Sequence, residues 1–232
     1  MPTFSRRAVV ATAVAAALGA AIPATLAASS GSAPTPANKA VAAASHVQVL
    51  NPNTSASILS ATFKTSKPED LLISLSAECS ILTDVLIAGN SSPGAKDDQT
   101  AAGTIKMYLT LDGKVVPLQD TSAPPQDPNA NGNGSIATDS VTFCNQVHRR
   151  TVGDSESPQD GIDQSEDWLT TKSANDFNWV RLNAGSGDHT LQVFAQFTDG
   201  STTPNAHASG YVGNRTLIIE PTKLANNAVI SG

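Results

Sequence analysis

Basic charge, aromatic rings and cysteine are all in short supply in this chain of 232 residues. Lysine and arginine together number 14 against 20 aspartates and glutamates, a net charge of −6. A face able to neutralise a run of phosphates needs basic residues gathered together, so the balance argues against a nucleic-acid binder. Aromatic residues make up 4% of the chain, too few for the Trp- and Tyr-lined cleft in which glycosidases ordinarily set their paired carboxylates. Two cysteines exclude a small scaffold held by several disulfides. The 16 glycines and 14 prolines follow no period, which excludes a collagen-like repeat, and 40% hydrophobic residues exclude a wholly disordered chain. What remains is room for one folded domain of ordinary size.

The motifs of common hydrolases are missing too. There is no Gly-x-Ser-x-Gly elbow, and Ser186, Asp188 and His189 sit too close together on one turn to converge as a triad. The histidines, His46, His148, His189 and His207, show neither His-x-His nor His-Glu-x-x-His spacing. His189 opens a strand and is expected to hold the preceding turn by a hydrogen bond. Carboxylates gather at Asp154, Glu156, Asp160, Asp163, Glu166 and Asp167, where a mobile loop would leave them solvated, without the burial that turns one into an acid. The balance leans against an enzyme.

What is present begins at the N-terminus. Arg6 and Arg7 precede the uncharged residues 8–22, then Pro23 and the small residues Ala24-Thr25-Leu26-Ala27-Ala28. This is the order of an export signal, with cleavage expected after Ala27. The apolar run is shorter than the roughly 20 residues a membrane-spanning helix needs. Ser5-Arg6-Arg7-Ala8-Val9-Val10 also fits the twin-arginine pattern, and both export routes stay open. Loss of Arg6 and Arg7 leaves 12 basic residues against 20 acidic, a mature net charge of −8. No transmembrane anchor is expected after signal removal, and localisation is secreted, periplasmic or at the cell surface. Residues 28–45, rich in Ala, Ser and Pro, read as a disordered linker, and the folded domain spans 46–232.

Within that domain the dominant period is two. Leu71, Ile73, Leu75, Ala77 and Cys79 alternate with Leu72, Ser74, Ser76 and Glu78. Ile105, Met107, Leu109 and Leu111 repeat the pattern, as do Leu191, Val193, Ala195 and Phe197. Half-buried strands alternate in this way. Asp112-Gly113 is the signal of a two-residue hairpin. Further strands are expected at 47–50, 57–65, 141–145, 177–182 and 211–220. Short strands with turns at these intervals predict an all-β fold, a two-layer antiparallel β-sandwich of jelly-roll type. Residues 119–140 and 149–167 read as long loops.

Cys79 and Cys144, an even pair in an exported chain, are expected to form a disulfide between neighbouring strands. Asp127, Asn129 and Asn131 place side-chain oxygens at alternate positions before Gly132, like the first half of a calcium loop. The match then fails, with Gly134 at the eighth position and Thr138 at the twelfth, so no cofactor is expected and calcium is the one alternative. A sugar-stacking platform has only Trp168, Trp179, Tyr108 and Tyr211 to draw on. Trp179, alternating with Phe177, belongs to the core, which leaves Trp168 as the candidate ligand contact.

Three strings carry a resemblance: Ser173-Ala174-Asn175-Asp176-Phe177-Asn178-Trp179-Val180, then Gly187-Asp188-His189-Thr190-Leu191-Gln192-Val193, then Val212-Gly213-Asn214-Arg215-Thr216-Leu217. Over residues 71–224 the chain resembles a group of uncharacterised exported bacterial β-sandwich proteins bearing Ser-Phe-x-Trp, Gly-x-His-Thr-x-x-Val and Val-Gly-x-Arg-Thr-Leu segments. The resemblance implies the fold and no catalytic residue. The expected function is a secreted, non-catalytic structural or binding protein. The alternatives are a carbohydrate-binding or glycan-acting module and a surface subunit assembling by strand addition, with a glycan or a surface protein as partner.

Overall fold

The alternation of apolar and polar side chains becomes ten strands in the computed structural model, which describes residues 39–88, 96–118, 134–153, 164–203 and 205–222. The signal segment 1–27, the calcium-like residues Asp127, Asn129 and Asn131, and the carboxylates Asp154, Glu156, Asp160 and Asp163 lie outside the described residues. The strands are β1 (Ala40–Ala44), β2 (Gln48–Leu50), β3 (Ser55–Thr65), β4 (Glu69–Ala88), β5 (Lys96–Leu111), β6 (Lys114–Val115), β7 (Val141–Gly153), β8 (Gln164–Ala184), β9 (Gly187–Asp199) and β10 (Ala206–Thr222). They form two five-stranded sheets. The first runs β1-β10-β4-β8, with β2 beside β1 on the same edge of β10; the second runs β3-β9-β5-β6, with β7 beside β6 on β5. All ladders are antiparallel, and no helix occurs among the described residues. The fold is a two-layer β-sandwich.

The core is made by the inward phase of each strand. Leu71, Ile73, Leu75, Ala77, Cys79 and Ile81 of β4 face Ile105, Met107 and Leu109 of β5 and Leu191, Val193, Ala195 and Phe197 of β9 in one buried cluster. Burying each large aliphatic side chain contributes about 1.5–3 kcal/mol. Asp112 and Gly113 both adopt positive φ, 51° and 80°, the backbone of the two-residue turn that joins β5 to β6. Gly210 is required by close approach, since a Cβ there would lie 2.5 Å from Cδ2 of Phe197.

Two boundaries differ from expectation. The chain enters the first sheet at Ala40, inside the segment read as linker, because Ala40, Ala42 and Ala44 pack on the core while the backbone pairs with 215–219 of β10. Alanines carry too weak a hydrophobic signal to mark a strand. The acidic stretch 149–167 is also shorter as a connection than its composition suggests, for β7 continues to Gly153 and β8 begins at Gln164. Residues 164–176 of β8 are mostly polar, apart from Trp168, Leu169 and Ala174, and pair with β4 as the sheet's edge. A period-two apolar pattern reports a buried face, and an edge strand needs only backbone pairing.

Two bulges set the phase of the core. In β7, Thr142 pairs with Lys106 and Cys144 with Ile105, so Phe143 is the extra residue and both Phe143 and Cys144 are buried. In β10 the register shifts between Val212 and Arg215. Leu217 and Ile219 are thereby brought to the same side as Val212, and Arg215 is turned inward.

The Cys79–Cys144 disulfide is present, with Cα atoms 6.1 Å apart. It does not join neighbours within one sheet. It links β4 of the first sheet to β7 of the second, crossing the sandwich. Ser173 Oγ lies 3.1 Å from the Cys144 sulfur. The Asn175 amide donates to the Phe143 carbonyl, and Gln146 Nε2 donates to the Leu169 carbonyl at 3.0 Å. These bonds stitch edge strand β8 to edge strand β7.

Candidate functional site

Among the described residues, several of the polar groups that drew attention in the sequence are consumed by the fold. His189 Nδ1 meets Asp112 Oδ2 at 2.8 Å, and its Nε2 meets the Gly185 carbonyl at 2.8 Å and Thr65 Oγ1 at 3.1 Å. The expected turn-holding bond is therefore there, with partners drawn from β3 and the β5–β6 turn. An acid, an imidazole and a hydroxyl thus stand in line as a triad would. Thr65 is 2% exposed and donates to Gly185 O at 2.6 Å, so the hydroxyl is both out of substrate's reach and already spent.

Arg215 is a second staple. It is 3% exposed and donates to the carbonyls of Ile58, His46 and Gly213, each at 2.8 Å, to His46 Nε2 at 3.1 Å and to Gln48 Oε1 at 3.2 Å. Desolvation pushes the guanidinium below its usual pKa. Since a guanidinium only donates, the His46 nitrogen facing it accepts. This one side chain ties β10 to β2, to β3 and to the connection after β1.

A third group spans the two sheets. His148 Nε2 lies 3.4 Å, and Arg150 Nη1 3.1 Å, from the same Asp167 oxygen. His148 Nδ1 is buried without a partner, and no described hydroxyl or thiol hydrogen-bonds to this histidine. Among the described residues the pair thus holds an acid and a base with no nucleophile hydrogen-bonded to them. No group of three His, Cys, Asp or Glu side chains placed to hold a metal occurs among the described residues.

The outer face of the first sheet is different. Ile81, Thr83 and Val85 of β4 are buried, so Ser80, Leu82, Asp84 and Leu86 point outward. Asp84 pairs with His207 of β10 on one side and with Trp168 of β8 on the other. Directly paired residues share a face, so imidazole, carboxylate and indole stand in one row. Two rows along, Tyr211, Ser80 and Lys172 form a parallel row, with Ser209, Leu82 and Thr170 between. Trp168 is 55% exposed. Asp84 Oδ1 is buried without a donor. Trp168, Asp84, His207 and Tyr211 make no side-chain hydrogen bond, ion pair or ring contact with described residues.

At the rim of this face Lys172 bonds Glu78 at 3.2 Å. That bond is the main cause holding the Glu78 carboxyl below its ordinary pKa, assisted by Asn214 and opposed by partial desolvation.

Of the aromatic residues available to a platform, Trp168 and Tyr211 share this face. Trp179 is in the core, edge-on to Phe177 at 4.7 Å. Tyr108 is 4% exposed and stacks on Phe194 of the second sheet. The sequence signalled Trp168 and offered no sign of Asp84 or His207 as its neighbours. Both lie beyond the alternating stretches legible as strands, and the register that pairs them is set by the tertiary structure.

No family model matches the chain, and no curated protein matches it. Among solved structures it is similar to the infectious bursal disease virus VP2 subviral particle, with 11% identity over 84% of this chain and 40% of that one, at a TM-score of 0.22. It is also similar to a structure of the Gx strain of the same virus, with 11% identity over 83% of this chain and 40% of that one, at a TM-score of 0.19. The chain spans 40% of the length of these structures, and TM-scores of this size fall short of a shared fold.

Proposed function

We propose that the protein is a secreted, non-catalytic structural or binding component of the extracellular space or cell envelope, of the kind its resemblance to exported β-sandwich proteins implies. The observation that carries this reading is how its reactive-looking groups are used. His46, His189 and Arg215 hold turns and strands in place, His148 pairs with Asp167, and the two cysteines cross-link the sheets. A disulfide is compatible with an oxidising compartment, and no helix among the described residues is long and apolar enough to cross a membrane. Expression with the native N-terminus, followed by fractionation and intact mass, tests it. The expected species is outside the cytoplasm, starts near Ala28 and carries no free thiol. A full-length, reduced cytoplasmic protein would refute the reading.

Strand addition is a second reading, favoured by β8. This strand is 21 residues long and ends its sheet, with no strand on its far side among the described residues. Exposed Lys172 and Asp176 on it are charges of the kind that discourage edge-to-edge pairing. Sedimentation over a range of concentrations distinguishes the two, since growing oligomers would favour strand addition.

A further inference from the structure

Deepening the binding reading, on which it rests, we infer that the outer face of the first sheet binds an uncharged oligosaccharide lying diagonally from Trp168 to Tyr211. Among the described residues, the other tryptophan, the other tyrosine and the other three histidines each have a partner in the fold: Trp179 on Phe177, Tyr108 on Phe194, His46 on Arg215, His148 on Asp167 and His189 on Asp112. The remaining members, Trp168, Tyr211 and His207, fall on a single face together with Asp84. A large aromatic left half-exposed and uncommitted loses hydrophobic free energy unless something covers it.

The chemistry of the row narrows the occupant. An indole offers an apolar plate to the C–H face of a sugar ring. Beside it a carboxylate accepts hydroxyl protons, and the imidazole beyond can both donate and accept. Trp168 and Tyr211 are four residues apart along the strands and two strands apart across the sheet. Strand rise and spacing put them about 16 Å apart, a span of about three sugar units. The floor between them is Ser209, Leu82 and Ser80, with Thr170 beside it. These are short or medium side chains that leave the diagonal open, three of the four carrying hydroxyls. Asp84 at the centre of its row and the chain's net charge of −6 oppose an anionic polymer.

Calorimetric titration of the intact, oxidised protein with uncharged hexasaccharides of glucose (β-1,4, β-1,3 and α-1,4 linked) and of N-acetylglucosamine tests the assignment, with oligogalacturonate as the anionic comparison. At least one uncharged chain is expected to bind. Trp168→Ala and Tyr211→Ala should each weaken it by about tenfold or more, equivalent to about 1.4 kcal/mol, and Trp168→Phe should recover most of the loss. Val147→Ala, exposed on the second sheet, should change nothing. The replaced side chains make no bonds within the fold, so melting temperatures should stay level and a binding loss can be read directly. The assignment is overturned if no uncharged chain binds, if binding survives both alanine variants, or if oligogalacturonate is preferred. Release of reducing ends during the same titrations would instead overturn the non-catalytic reading and leave the site standing.

Discussion

Replacing Arg215 with methionine keeps most of the side chain's volume and removes every donor. Three carbonyl oxygens, of Ile58, His46 and Gly213, would then lose a partner now 2.8 Å away. A buried acceptor left without a donor costs about 1–3 kcal/mol, so three would cost roughly 3–9 kcal/mol if none found water. Against this, no carboxylate among the described residues bonds the guanidinium, and removing a buried charge returns several kcal/mol. Two of the three carbonyl bonds are only partly buried, which lets water replace them. The expected net loss is about 3 kcal/mol, a large share of the stability of an ordinary domain. Arg215→Lys should lose less, because an ammonium keeps three donors but cannot span acceptors on two strands. Burial lowers the pKa of Arg215, so the unfolded chain holds that proton more tightly and stability gains from its release only in strongly alkaline solution. The deficit of the methionine variant should therefore be flat from about pH 8 to 9, a window that leaves out the ordinary imidazole range. Guanidinium unfolding with the disulfide intact measures it. A loss below about 1 kcal/mol would refute the claim that this residue staples three strands.

Three further outcomes are expected. Cys79→Ala with Cys144→Ala should cost about 4 kcal/mol, the loop-closure value for a separation of 65 residues; an unchanged melting temperature would refute it. Gly210→Ala should cost about 1–3 kcal/mol by overpacking, since its Cβ meets the Phe197 ring at 2.5 Å, and Phe197→Leu in the same chain should recover part of the loss by denaturant titration. Desolvation opposes ionisation of Asp139, but the backbone amides of Leu118 and Ser135 and the Thr138 hydroxyl outweigh it and hold its carboxyl below the ordinary 3.8. A lowered folded value means stability present above pH 3.8 and lost as pH falls through that folded value; a carboxyl NMR midpoint at or above 3.8 would contradict it.

Legibility in the sequence followed burial. Strands with one face in the core, such as β4 over 71–81 and β9, announce themselves by alternation because water and core sort their two faces. β1 and the polar end of β8 were missed because an alanine strand and an edge strand sort little. The pairing of Cys79 with Cys144 was readable from parity alone. Its placement across the sandwich was not, since it depends on Phe143 being the bulged residue that returns Cys144 to the inward phase. Trp168 stood out in the sequence as the candidate ligand contact because Trp179 alternates with Phe177 into the core; that Tyr211 shares its face was not legible.

By itself the sequence determined the class of fold and the Asp112-Gly113 turn, which depend on residues close together in the chain, and the pair of cysteines, which depends on parity alone. Only the tertiary structure decided that Asp112 and Thr65 converge on His189, that Arg215 points inward to His46, and that His207, Asp84 and Trp168 stand in one row. The reason is register. Alternation says which face a residue takes and nothing about which strand lies beside it. A single bulge, as at Val212 to Arg215, shifts every later contact to the opposite face of the strand.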